Sequence, residues 1–91
     1  MLEKIIEAKV NAYALTKGFI VYKFTSPARR AVPDRIYISS KGTVVFVEFK
    51  REGQKPTPAQ EREHHRLRIQ NVEVFVIDNI EAGKAMVDAL A

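Results

Sequence analysis

Residues 34–50 constrain the fold more than any other part of this chain. Two strand-like runs, 34–39 and 43–50, are joined by Ser40-Lys41-Gly42, with glycine where a three-residue hairpin loop favours positive φ. A hairpin centred on Lys41 sets Ser39 opposite Thr43, Ile36 opposite Phe46 and Asp34 opposite Glu48. Side chains alternate, so Asp34, Ile36 and Ile38 share a face with Val44, Phe46, Glu48 and Lys50, while Tyr37, Val45, Val47 and Phe49 share the other. Both faces are largely apolar and both need cover. Such strands belong in the middle of a sheet.

The rest of the chain supplies that cover. Leu2, Ile5, Ile6, Val10 and Tyr13 recur at helical spacing and Gly18 sits where a C-terminal cap would, so residues 2–17 are expected to form an amphipathic helix. Residues 19–25 are β-branched and aromatic, a first strand stopped by Ser26-Pro27. Residues 28–33 have no periodicity, and Pro33 biases Val32 to an extended conformation, which predicts a basic loop. Thr57-Pro58-Ala59-Gln60 offers an N-cap, an N1 proline and an N3 glutamine for a helix ending near Asn71. Residues 72–77 form a further strand. Asp78 with Glu81 three residues on repeats the capping pattern and opens a last helix to near Leu90. The order α-β-β-β-α-β-α, without repeats or linkers, predicts a single α/β domain over 1–91 with a central mixed sheet and helices on both sides.

Composition closes off several classes of function. The chain has 91 residues and no cysteine, which excludes disulfides, thiolate zinc sites and a thiol nucleophile, and suits a reducing cytoplasm. No apolar run reaches the roughly 20 residues needed to span a bilayer. Residues 1–9 alternate charged and apolar side chains, unlike a signal peptide. A soluble, unprocessed protein without a membrane partner is expected. The net charge is +4, with residues 19–35 and 50–68 each carrying +3 and residues 69–91 carrying −3. Localised positive charge suits a polyanion, because each Lys or Arg at a phosphate releases a condensed counterion. A solvated basic surface is the plain alternative.

Chemistry concentrates in the hairpin. Asp34 and Glu48 as cross-strand neighbours would repel, so something cationic should sit between them. Oxygen ligands of this kind suit Mg²⁺ or Mn²⁺, which take one or two carboxylates and fill the remaining positions with water and phosphate oxygens. The backbone carbonyl of Phe49 offers a further ligand. Lys50, two residues beyond Glu48 on the same face, can orient or deprotonate an attacking water and offset charge on a phosphorane-like transition state. A structural ion-pair cluster of Asp34, Lys50 and Glu48 is the competing account. His64-His65 lacks a second ligand pair at zinc spacing, and Glu61 with His65 reads as a surface ion pair. The apolar side chains of the last helix, Ile80, Met86, Val87 and Leu90, suggest core or interface and no organic cofactor.

At these residues the sequence resembles the PD-(D/E)xK nucleases, through Pro33-Asp34 and Glu48-Phe49-Lys50, and more closely the virus-type replication-repair nuclease (VRR-Nuc) domain. The matching features are Ile6-Glu7, Lys23-Phe24, the stretch from Arg29 through Pro33-Asp34-Arg35, Val45-Phe46-Val47-Glu48-Phe49-Lys50, Pro56-Thr57-Pro58-Ala59-Gln60 and Val74-Phe75-Val76-Ile77-Asp78. Ala31 stands where the family usually has Gly, and Asn71 where Gly usually ends the second helix; Asn tolerates the left-handed conformation.

The resemblance implies that Asp34 and Glu48 are metal ligands, Lys50 the catalytic lysine, and Glu7 and Gln60 flanking catalytic residues, with Glu3 one turn earlier as the alternative to Glu7. Gln60 shares a helical face with His64 and Leu67, the core anchor expected there, so it can point inward and also complete a capping box with Thr57. Arg29, Arg30, Arg35, Arg51 and Lys55 are the candidate DNA contacts. The implied activity is a Mg²⁺- or Mn²⁺-dependent, structure-specific DNA endonuclease, since no base-reading insertion is present. Free-standing relatives are similar to homodimeric Holliday-junction resolvases, which implies branched DNA and a second copy as partners, in the cytoplasm of a bacterial or phage-infected cell. The alternatives are a flap- or branch-specific nuclease, a non-catalytic nucleic-acid-binding module on the same scaffold, and a small RNA-binding protein.

Overall fold

The computed structural model describes all of residues 1–91. Its elements are α1 (Glu3–Thr16), β1 (Ile20–Lys23), β2 (Arg35–Ile38), β3 (Val44–Phe49), α2 (Pro58–Ile69), β4 (Val74–Ile77) and α3 (Ile80–Leu90). The expected order is the observed one. The four strands lie in the order β1-β2-β3-β4, with β1, β2 and β3 antiparallel and β3 parallel to β4, so the sheet is mixed and the hairpin occupies its middle. No helix is long and apolar enough to cross a membrane.

Local chemistry sets the element ends. Gly18 adopts φ 83° after α1, with Phe19 N–H donating to Ala14 O and Gly18 N–H to Leu15 O, the paired bonds of a Schellman cap. Asn71 does the same after α2 at φ 65°, its N–H reaching Arg68 O while Val72 N–H reaches Leu67 O. Asparagine therefore fills the expected glycine position. The capping box at Thr57 and Gln60 is complete in both directions. The last helix differs from expectation, because its N-cap is Asn79 rather than Asp78. Asn79 Oδ1 accepts from Ala82 N–H at 2.7 Å, whereas Asp78 is engaged by Gly53 N–H and the Asn79 amide and ties the loop after β3 to the helix start.

The two sheet faces are covered unequally. Tyr37, Val45, Val47 and Phe49 are buried against Ile6, Val10 and Ala14 of α1 and Met86 and Val87 of α3, forming one continuous core. The opposite face has only α2, a 12-residue helix of mostly polar side chains, over its β3–β4 end. Glu48 and Lys50 are buried there, while Ile20, Tyr22 and Val44 stay about half exposed. The expectation that both faces would be covered holds only at that end. On α3, Met86 and Val87 are core, and Ile80 and Leu90 are partly buried against it.

The α1–α3 contact depends on Gly83, where an added Cβ would lie 2.3 Å from a Val10 methyl carbon. Gly83→Ala should therefore destabilise by roughly 1–3 kcal/mol through overpacking. Val10→Ala in the same chain should recover part of that loss, because the two sites share one space. Denaturant midpoints of the two single variants and the double variant decide it; strict additivity would reject the contact.

Candidate active site

The hairpin register does what its turn implies: Arg35 pairs with Val47, Ile36 with Phe46, Tyr37 with Val45 and Ile38 with Val44. One step beyond Arg35, Asp34 leaves the ladder but stays anchored at both ends. Its carbonyl accepts from Phe24 N–H at 2.8 Å, and its Oδ2 accepts from Phe49 N–H at 3.0 Å. Pro33, fully buried, fixes the approach to it. On β3, Lys50 N–H continues the pairing to Ile77 O, so Glu48 and Lys50 are held between two neighbours at the sheet's C-terminal end. The two carboxyls therefore meet as expected across the hairpin.

Glu48 is 2% exposed and its carboxyl pKa is pushed up to about 8. Burial is the main cause, followed by the charge of neighbouring Asp34, against which the Lys50 ammonium pulls downward. Lys50 Nζ lies 4.0 Å from Glu48 Oε2, long for an ion pair, and Gln60 Nε2 donates to the same oxygen at 3.3 Å. Gln60 thus plays two parts, because its Oε1 also accepts from Thr57 N–H in the capping box. The other oxygen of Glu48, Oε1, is buried without a hydrogen-bond partner. An orphaned oxygen on a buried carboxyl beside a second acidic group fits a cation better than a finished structural cluster.

No group of three or more His, Cys, Asp or Glu side chains converges into a complete metal centre. A divalent cation at this place would draw on Asp34, Glu48 and the Phe49 carbonyl and complete its shell with water and phosphate, the pattern hard cations of the Mg²⁺ type prefer.

Of the two helix carboxylates, Glu7 is engaged elsewhere, its Oε2 accepting from Arg35 Nε at 3.0 Å. Glu3, in the first turn of α1, is the one that feels the pair: burial and the charge of Asp34 raise its pKa while Lys50 opposes. Just before that turn, the Met1 ammonium contacts Glu52 Oε1 at 3.1 Å and Glu52 N–H donates to Met1 O.

The basic candidates divide in the same way. Arg35 is bound to Glu7, and Arg29 donates to buried Glu63 at 2.8 Å, with Arg66 on the same carboxylate at 3.4 Å. Arg30, Arg51 and Lys55 are exposed and form no ion pair. An open cleft of about 320 Å³ runs from the end of β1 along the basic loop, with Lys23, Arg29, Arg30 and Asp34 on its wall. The largest depression, about 790 Å³, lies elsewhere, and its rim of Glu52, Asp78 and Glu81 would repel a polyanion.

One residue near the carboxylates carried no assigned role in the sequence. His64 is 1% exposed, and burial lowers its pKa. Its Nε2 sits 3.8 Å from Glu48 Oε1, too far for a hydrogen bond. The sequence signal is the stripe Gln60, His64, Leu67; its anchor differs from expectation, because Glu63 and His64 are buried while Leu67 is only partly so. Glu61 and His65 form no ion pair.

Comparison with known proteins adds two matches. The chain is 52% identical over 77 residues to "Putative nuclease p44" of Acyrthosiphon pisum secondary endosymbiont phage 1, across 85% of this chain and 83% of that protein. Its fold superposes on a solved VRR_NUC domain with a TM-score of 0.88 at 29% identity, covering 98% of this chain and 97% of the other. No family model matches the chain.

The raised carboxyl makes a prediction about the protein without metal. Between the ordinary glutamate value of 4.5 and about 8, folded Glu48 holds a proton that the unfolded chain has released, so stability falls as pH rises through that range. His64 has the opposite sign, its lowered pKa costing stability as pH drops below 6.5. Above that value the Glu48 effect dominates. The melting temperature in chelator should therefore fall between about pH 7 and about pH 8.5, and Glu48→Gln should flatten the decline. A flat wild-type profile would refute the raised carboxyl.

Proposed function

Because the chain belongs to the VRR-Nuc nucleases, we propose that it hydrolyses DNA phosphodiester bonds with Mg²⁺ or Mn²⁺ at Asp34 and Glu48, and that its substrate is branched duplex, four-way junctions foremost. The observation that carries this reading is the buried Glu48 carboxyl beside Asp34, with Oε1 unpaired. A cation bound there supplies Lewis-acid polarisation of the phosphoryl group.

The chain's own residues do the rest. Lys50, anchored by its backbone to Ile77, orients the attacking water and offsets negative charge as the phosphorane forms. Gln60 holds Oε2 of Glu48 from α2, and the Phe49 N–H holds Asp34 Oδ2, so both carboxylates are oriented before substrate arrives. Exposed Arg30, Arg51 and Lys55 contact the phosphate backbone. A sheet of four short strands without an added recognition helix has little with which to read bases, which favours shape over sequence. A phage protein as relative agrees with action in the cytoplasm of a bacterial or phage-infected cell.

A four-way junction needs two cuts on opposing strands, and one chain carries one candidate site, so the species acting on it is a pair of copies. Met86 and Val87 of α3 are in the chain's own core, which leaves that helix with Ile80 and Leu90 as its partly buried apolar side chains.

Asp34→Asn, Glu48→Gln and Lys50→Ala should each abolish metal-dependent cleavage of labelled four-way, flap and linear DNA while leaving DNA binding largely intact. Near-normal turnover in any of them would overturn the site, and binding without cleavage by the wild type in Mg²⁺ and Mn²⁺ would favour a non-catalytic module. Light scattering of the same samples should return the mass of two chains; paired cuts by a one-chain species would defeat the pairing.

Arg30→Ala combined with Arg51→Ala should weaken binding and reduce the slope of log K against log salt by about 0.9 per lost phosphate contact. An unchanged slope would return these side chains to the solvated surface.

A further inference from the structure

Glu48 is approached from α2 by two side chains one helical turn apart. Gln60 Nε2 donates to Oε2 at 3.3 Å, and four residues later His64 Nε2 lies 3.8 Å from Oε1. Both His64 Nε2 and Glu48 Oε1 are buried and have no hydrogen-bond partner. The imidazole is 1% exposed and the carboxyl residue 2%, so bulk water does not serve either atom. A buried ring nitrogen and a buried carboxylate oxygen left without partners each carry the uncompensated desolvation cost of a polar group, larger when charged. Each is the other's nearest remedy.

We propose that His64 is a positioning residue for Glu48: Nε2–H donates to one lone pair of Oε1 once the carboxylate turns toward it, leaving the other to the cation, and together with Gln60 it fixes the carboxylate plane in which Glu48 meets that cation. This rests on the reading of Asp34 and Glu48 as cation ligands. The helix spacing makes the grip possible, because positions i and i+4 project from the same side and can hold the two oxygens of one carboxylate. It also accounts for a helix whose buried positions are Glu63 and His64 rather than apolar side chains. Ligating carboxylates are themselves held by hydrogen bonds, and loss of such a partner typically weakens metal affinity about 10–100-fold.

The test is calorimetric titration of Mn²⁺ into the metal-free protein without DNA, for wild type, His64→Leu, His64→Gln and Asp34→Asn, with melting curves to establish folding. His64→Leu fills similar space without a donor and should weaken Mn²⁺ binding about 10–100-fold. His64→Gln places an N–H donor the same number of bonds from Cα and should bind within a few-fold of wild type. Wild-type affinity in His64→Leu, or equal loss in both His64 variants, would overturn the proposal while Asp34→Asn still reports a working cation site. If His64→Leu does not fold, His64→Gln decides alone: affinity near wild type supports the role and a tenfold loss rejects it. A wild type that takes up no Mn²⁺, or an Asp34→Asn that binds as well as wild type, overturns both the cation site and the role built on it.

Discussion

Everything near the site answers to one arrangement: two carboxylates placed side by side at the end of a hairpin, one of them buried. Glu48 cannot leave, since its strand is pinned between β2 and β4. Nor can Asp34, tied through Phe24 and Phe49. The repulsion between them is therefore a fixed cost, moderated within the chain by Lys50, by the Gln60 amide and by proton uptake on Glu48. Each of these is partial, and a site balanced in this way is ready for a cation and unfinished without one.

This constraint explains why α2 reads so poorly as a helix of the core. Its apolar content is low because it covers carboxylates rather than hydrocarbon. Hydrophobic periodicity, which identified α1 through Ile6 and Val10, had only Leu67 and the exposed Ile69 to offer in α2, and neither is the anchor. What located α2 was its end chemistry: Thr57 and Gln60 at the start and Asn71 in the left-handed region at the finish. Those signals are local, so they survive whatever the helix packs against.

The hairpin register was legible for the same reason. Ser39 closes the turn through its own backbone to Gly42 and Thr43, so three loop residues determine which side chains face each other over the whole ladder. Contacts between distant segments were not legible. Nothing within the α1 sequence tells that Glu7 will meet Arg35, or that Glu3 will feel the charges of Asp34 and Lys50. The start of α3 failed for a related reason, because Asp78 and Asn79 are both good caps and the loop at Gly53 had claimed the first.

The ion pairs that diminish the free positive charge also sharpen where it acts. Glu63 is almost fully buried, and Arg29 and Arg66 converge on it, so the basic loop is clamped to α2 at Arg29. The half-exposed Arg29 contributes little net energy as a surface pair would, and the backbone at this point is turned by the bond from Arg29 N–H to Ser26 O. Arg30 is thereby presented on a fixed loop next to Asp34, along the same cleft wall. A phosphate contact made by a pre-positioned side chain loses less entropy than one made from a mobile loop. Spending one arginine on Glu63 thus makes its neighbour a better one, and links the helix that grips Glu48 to the loop that would carry the DNA backbone past it.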